Sequence, residues 1–279
     1  MIIDSHQHFW VYSPTRQAWI NDQMSVIKRD FLPADLWKIY EKNSVAGCVA
    51  VQADGSEEET AFLLQLAEEN DFIKGVVGWV DLQDKNVEAR LDYYQSIEKL
   101  KGFRHVVQDE PDPNFMLRED FRRGLKALES FNYTYDILIY PHQLDAAIKT
   151  VEDFPQINFV LDHIAKPDIK NARMDNWLPK IKSLAQSPNV HCKVSGMVTE
   201  ASWQSWRQED FVPYLDVVTE AFGIDRLMFG SDWPVCLLSG NYEEVLGIVK
   251  AYMAQFTPAD QEQVFYKNAL SFYRLEMGE

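Results

Sequence analysis

Eight short apolar runs rich in β-branched residues, spaced by segments of helical periodicity, constrain this chain more than any other feature. They are MIIDSH (1–6), VAGCVAVQ (45–52), IKGVVGWV (73–80), GFRHVVQ (102–108), YTYDILIY (133–140), INFVLDH (157–163), NVHCKVSG (189–196) and DRLMFGSD (225–232). Most are apolar on both faces, and such a strand must be covered on both faces. They therefore read as parallel strands wrapped by helices rather than as a sheet wet on one side.

The intervening segments carry helix signals. In SEEETAFLLQLAEEN, Ser56 stands three residues before Glu59 as a capping box, and Phe62, Leu63, Leu66 and Ala67 share one face. REDFRRGLKALESF repeats Phe121, Leu125 and Leu128 at helical spacing, and DFVPYLDVVTEAFG ends on Gly223 as a C-cap before the eighth strand. Near the C-terminus, Thr257 caps a helix with Pro258 in its first turn. Eight strands alternating with helices over 279 residues predict one α/β domain, a single (β/α)8 TIM barrel spanning residues 1–279. The rival, a doubly wound open sheet, lacks a G-x-G-x-x-G after its first strand.

In such a barrel every strand's C-terminal end opens on one rim, where barrel enzymes keep their chemistry. The runs end in polar residues: His6 and His8, then Arg104, His105 and Gln108, Tyr140 and His142, Asp162 and His163, Lys193 and Ser195, and Asp232. Strand alternation places Ile2, Asp4, His6 and His8 on one face, so two imidazoles converge on a metal or a polar site. Arg104 and His105 point to opposite faces, so only one enters the barrel. His191, early in its strand, reads as a buried, satisfied histidine. Asp232 is the best candidate for a base, with Gly230 leaving open space beneath its carboxylate. Arg104 and Lys193 are the cations nearest the rim.

The connection from Phe9 to Ser44 is long for a barrel and carries Trp10, Tyr12 and Trp19. It is expected to fold over the C-terminal face and cover one face of a ligand, with Trp79 and Trp233 as further candidate surfaces. Lys+Arg 27 against Asp+Glu 43 leaves a formal charge of -16, which opposes nucleic acid and anionic membranes and favours a neutral or weakly charged small molecule. Cys48, Cys192 and Cys236 form no C-x-x-C pair, and no basic-then-apolar leader opens the chain, so a reducing cytoplasm is the expected location. The oligomeric state is left open.

Six motifs in order carry a resemblance: SHQHFW, FRHVVQDEPDPNF, YPHQL, FVLDHIAKPDI, CKVSGMVTEA and FGSDWPV. Together they resemble the amidohydrolase superfamily of barrel hydrolases, and within it the sugar-lactonase branch of L-fuconolactonase and L-rhamnonolactonase type. The likeness runs from residue 1 to the region of Asn268 and Ala269. It implies hydrolysis of a sugar-acid lactone by an activated water. Asp232 would act as base, His142 and His163 would hold the carbonyl oxygen, and Arg104 or Lys193 would stabilise negative charge, with Trp19 and Trp79 against the substrate.

Many members of that superfamily hold two metals bridged by a modified Lys or a Glu ending strand four, whereas FRHVVQ offers Gln108, a poor bridging ligand. What the resemblance leaves is one divalent ion, zinc foremost, on His6, His8 and Asp232, or a metal-independent site built from the same residues. The rivals are metal-dependent amide hydrolysis, deamination or non-oxidative decarboxylation on the same scaffold, and a barrel that binds a sugar acid without turning it over.

Overall fold

A computed structural model describes residues 1–277. Its eight parallel strands stand in sequence order: β1 Ile3–Gln7, β2 Gly47–Val51, β3 Ile73–Gly78, β4 Leu100–His105, β5 Thr134–Ile137, β6 Phe159–Leu161, β7 Val190–Val194 and β8 Leu227–Phe229. The helices between them are α1 Pro33–Asn43, α2 Glu57–Glu69, α3 Val87–Tyr94, α4 Glu119–Phe131, α5 Leu144–Asp153, α6 Leu178–Leu184, α7 Met197–Glu200 and α8 Gln208–Phe222, followed by α9 Tyr242–Met253, α10 Pro258–Glu262 and α11 Asn268–Tyr273. This is the (β/α)8 barrel that the eight runs predicted. Thr257 accepts from the Asp260 amide and Gly223 ends α8 at φ 72°, as expected, and Ser56 accepts from the Glu59 amide, but the capping box stays half-formed because the Glu59 carboxylate accepts the Ala53 amide at 3.0 Å instead. No helix among the described residues is long and apolar enough to cross a membrane, and the three cysteines are buried and free.

The barrel closes between β8 and β1 through a short seam. The Asp232 amide donates to the His6 carbonyl at 2.8 Å, the His8 amide donates to the Trp233 carbonyl at 2.7 Å, and the Ser5 hydroxyl donates to the Phe229 carbonyl at 2.6 Å. Asp4 is the clasp. Its Oδ1 accepts the amides of His6 and Ser231, and its Oδ2 accepts the Tyr40 hydroxyl.

That arrangement corrects the strand-parity expectation. Between Asp4 and Gln7 the register against β2 advances by three residues on β1 but only two on β2, a bulge. Ile2 packs in the outer core with Cys48, and Asp4 faces Tyr40, while Ile3 enters the barrel. The extra residue then turns His6 and His8 inward, opposite to Ile2 and Asp4.

Inside the barrel, Ile3, Val49, Val51, Val77, Val160 and Met228 form an apolar layer that α11 plugs from the N-terminal end with Phe272 and Tyr273. Above it lies a fully buried charged layer. Lys193 from β7 pairs with Asp136 of β5 and, at 3.0 Å, with Asp162; Arg104 Nη1 of β4 reaches Asp162 Oδ2 at 3.0 Å. Tyr273 donates to Asp136 at 2.8 Å. Two cations face two carboxylates, so the layer is close to neutral and neither charge is left alone in a low dielectric.

Burial pushes the Asp136 carboxyl up from 3.8 to about 6, with Lys193 opposing. Its protonated form is thus favoured by folding, and that stabilisation is present below pH 3.8 and lost as pH rises through about 6. Lys193→Met should strand Asp136 and leave Asp162 with Arg104 as its one cation, and cost about 3–5 kcal/mol in chemical denaturation. The deficit should be larger at pH 8 than at pH 5, and Lys193→Met combined with Asp136→Asn should recover part of it. Equal stability of Lys193→Met and wild type at both pH values would show that the pairing contributes nothing.

Candidate active site

Above the charged layer, the seam and the ends of β1, β2 and β6 assemble a tight cluster. His8 Nδ1 donates to the Val51 carbonyl at 2.7 Å, and its Nε2 faces Asp232 Oδ1 at 3.4 Å and His6 Nε2 at 3.2 Å. His163 Nε2 lies 3.8 Å from the same Asp232 oxygen, and its Nδ1 shares a hydrogen bond of 2.8 Å with the Ser195 hydroxyl. All four side chains are almost wholly buried. Burial drives the pKa of His6 and His163 well below the usual histidine value, so both rings are neutral. Burial pushes the Asp232 carboxyl up, but His163 and His8 outweigh it and hold it below the usual carboxylate range, so Asp232 is an ionised acceptor.

Two tight approaches fix these rings. A Cβ on Gly230 would meet the His6 Cβ at 2.7 Å, so the space expected to be open below Asp232 is filled by His6. A Cβ on Gly196 would meet the His163 ring at 2.5 Å. Backbone strain gathers at the same place. His163, Ile164, Ala165 and Lys166 are four consecutive non-glycine residues in the left-handed region, at φ 54°, 49°, 60° and 49°, and Asp232 sits there too at φ 58°. Each such residue costs about 1–2 kcal/mol, so the surrounding packing must enforce the turn. Trp177 Nε1 donates to the Ile164 carbonyl at 2.7 Å and pins it from outside.

His6 Nε2, His8 Nε2 and Asp232 Oδ1 lie 3.2, 3.4 and 3.9 Å apart. Tetrahedral zinc with bonds of about 2.0–2.2 Å needs ligand atoms roughly 3.3–3.6 Å from one another, so these residues fit one small divalent ion. The other grouping, His6, Asp162 and His163, is less available because Lys193 and Arg104 already hold Asp162. The surroundings of His6 suit either state of the site. Its Nδ1 has Asp162 Oδ1, an acceptor, at 3.2 Å and Lys193 Nζ, a donor, at 3.1 Å. With the proton on Nδ1 facing Asp162, Nε2 is free to ligate. With Lys193 donating to Nδ1, the Nε2 proton can instead bridge to His8 Nε2.

The cluster forms the floor of a cleft of about 540 Å³. His8, Arg104, His163 and Asp232 line it, together with Arg16, Trp19, Asp54, Gln108, Tyr140, Lys166, Glu200 and Trp203. The connection after β1 does cover this face: Trp10 is buried under an antiparallel bridge to Phe31, and Trp19 rests edge-on against Trp10, 38% exposed and lining the cleft. Arg104 enters the barrel, where Gln52 and Asp162 hold it, and its Nη1 is 3.3 Å from His6 Nε2. His105 turns outward, stacks on Phe115 and binds Glu110 at 2.7 Å.

Several expected residues are elsewhere. His142 is exposed on the turn Pro141–Gln143, because the chain leaves the rim after Tyr140 and it is Tyr140 that lines the cleft. Lys193 is sealed in the charged layer and touches the cluster only through His6. Trp79 reaches His105 at 3.4 Å outside the barrel, and Trp233 packs between Phe9 and Phe31. His191 packs on Phe272 and is only half-buried, and its Nδ1 finds no partner among the described residues, so it is neither fully buried nor satisfied. Arg16, Lys166, Glu200 and Trp203 were not singled out. Lys166 lies in FVLDHIAKPDI and Glu200 in CKVSGMVTEA, two of the motifs that carry the resemblance, whereas Arg16 and Trp203 had only their place in the long first connection or shortly after a strand end as a signal.

The chain matches the amidohydrolase family over residues 3–275. It is 38% identical over 284 residues to an L-fucono-1,5-lactonase of Burkholderia multivorans, covering 98% of this chain and 96% of that protein. It is 23% identical over 205 residues to an L-rhamnono-gamma-lactonase of Scheffersomyces stipitis, covering 63% and 59%. Among solved structures, an amidohydrolase from Burkholderia multivorans with bound zinc superposes with a TM-score of 0.95 at 38% identity, over 99% of this chain and 100% of that one. With the barrel, the strand-one histidine pair and the strand-eight aspartate in place, these likenesses show that the chain belongs to the amidohydrolase family.

Proposed function

We propose that this protein is a hydrolase that opens a sugar-acid lactone of the L-fucono-1,5-lactone type to its aldonate. The observation that carries the reading is an ionised Asp232 within 3.4 Å of His8 and 3.8 Å of His163 at the floor of a polar and aromatic cleft, in a chain similar to a lactonase over nearly its whole length.

In this reading Asp232 accepts a proton from water as the water oxygen bonds to the lactone carbonyl carbon. Negative charge develops on the former carbonyl oxygen. His163 faces it from one side, and Arg104, whose guanidinium is already fixed by Asp162 and Gln52, supplies the nearest cation. The ring C–O bond then breaks, the departing ring oxygen takes the proton back from Asp232, and the new carboxylic acid ionises to the aldonate and releases one proton. His142 and Lys193 have no place in this step: one is outside the cleft, and the other acts only by positioning His6.

A divalent ion, if bound, would sit on His6, His8 and Asp232, where it would polarise the carbonyl and make a water more acidic. An ester is reactive enough for the protein groups alone to serve, so both forms of the site are compatible with the reaction.

Asp232→Asn should lower kcat on the best lactone by at least about a hundredfold, the scale of a general base, in a proton-release assay. His142→Ala, a surface change, should keep turnover within about twofold; a large loss there would return His142 to the site. Chelation of the purified protein followed by the same assay separates the two forms of the site. Retained turnover identifies the protein groups as sufficient, and loss restored by zinc makes His6, His8 and Asp232 ligands. If Trp19 covers the substrate, Trp19→Ala should raise KM by about tenfold, as expected for losing a stacked aromatic face. Unchanged KM would assign Trp19 to packing alone.

A further inference from the structure

The mechanism above leaves unused two charged side chains that share the cleft with it. Lys166 ends the strained left-handed turn after β6, and Glu200 ends α7 just after β7, so neighbouring strands bring them together at 4.0 Å. Their side chains are only 16% and 21% exposed. Neither the Lys166 ammonium nor the Glu200 carboxylate makes a hydrogen bond among the described residues, although the turn itself is closed by Lys166 N donating to His163 O at 2.8 Å. Buried polar groups are normally partnered, and a partly buried ion pair at this separation without hydrogen bonds has unmet capacity on both sides.

The surroundings specify what could meet it. Tyr140 lies under the Lys166 ammonium, 5.5 Å from ring centre to nitrogen, and Trp203, three residues beyond Glu200, lines the same cleft. A carboxylate that accepts, an ammonium that donates, and flanking aromatic faces match adjacent hydroxyls on a ring with apolar C–H surface. Burial is the main cause that pushes the Glu200 carboxyl up to about 7, with Lys166 opposing and Asp232 and Asp168 adding to it; a group so placed gains from donors that a ligand brings. The same need explains why a strained turn persists: it carries His163 at one end and Lys166 at the other, so the reacting centre and the recognition pair are held by one rigid element.

We propose that Lys166 and Glu200 form a hydroxyl-recognition pair, which selects polyhydroxylated lactones over plain ones by binding vicinal hydroxyls of the substrate ring. This rests on the lactonase reading and adds to it the residues that set substrate class.

The test compares wild type, Glu200→Ala and Lys166→Met on L-fucono-1,5-lactone and on δ-valerolactone, which has the same ester ring without hydroxyls. Each variant should lose kcat/KM on the sugar lactone by at least about tenfold more than on δ-valerolactone, chiefly through KM, the scale of hydrogen bonds to a charged group. Equal losses on both lactones, or a loss confined to kcat, would overturn the pair and make it structural or proton-transferring instead. If Glu200→Ala does not fold, Glu200→Gln keeps the shape, and the same ratio is read from it. Should wild type hydrolyse neither lactone, the lactonase reading falls separately, and calorimetric binding of the sugar lactone judges the pair. Binding by wild type that Glu200→Ala and Lys166→Met lose supports it, and equal binding or none overturns it.

Discussion

The seam between β8 and β1 is the contact on which the rest of the structure depends. A parallel barrel has one junction where the last strand must meet the first, and here only a few hydrogen bonds make it. Asp4 reinforces them by accepting one backbone amide from each side, so a single carboxylate ties residues more than two hundred positions apart. The bulge at Asp4–Gln7 is what permits this. One side chain of β1 can point outward to clasp the seam while the next inward positions go to His6 and His8. The same junction that closes the barrel therefore delivers Asp232 to the histidines, because its amide is bonded to the His6 carbonyl.

Beneath this junction the barrel is not filled with hydrocarbon alone. Replacing an apolar layer with Arg104, Lys193, Asp136 and Asp162 carries a desolvation cost that hydrophobic residues of similar volume would avoid. The gain is orientation. His6 is held between Lys193 and Asp162 at one nitrogen and faces Arg104 and His8 at the other, so its tautomer answers to what stands in the cleft. Tyr273 from the last helix completes the layer from below, which couples the C-terminal helix to the site through one hydrogen bond to Asp136.

The fold was readable because burial on both faces leaves a dense apolar signature at each strand, and capping residues such as Ser56, Thr257 and Gly223 mark helix ends locally. The floor of the site was readable for a related reason: His6, His8, His163 and Asp232 follow those runs at the rim, where barrel topology collects them. His142 defeated the same logic, since two residues past Tyr140 the chain has already turned away into solvent. Trp79, one residue past β3, turns to the outward-facing His105, and Lys193 on β7 lies a layer too deep. Glu200 and Lys166 stand in two of the quoted motifs but nothing in those motifs pairs them, because their meeting depends on a left-handed turn that no residue in His163–Lys166 favours.

Local chemistry was enough to set the barrel, the order of its elements and the set of imidazole and carboxylate groups at its mouth, because alternation, capping and burial act within a few residues. The folded chain alone chooses which of those groups converge. A one-residue bulge reverses the faces of β1, a seam of long-range amide bonds places Asp232, and a turn held against its own backbone preference brings Lys166 to Glu200. Each of these is settled by packing between strands far apart in sequence, where the energy of one junction outweighs the preference of any single residue.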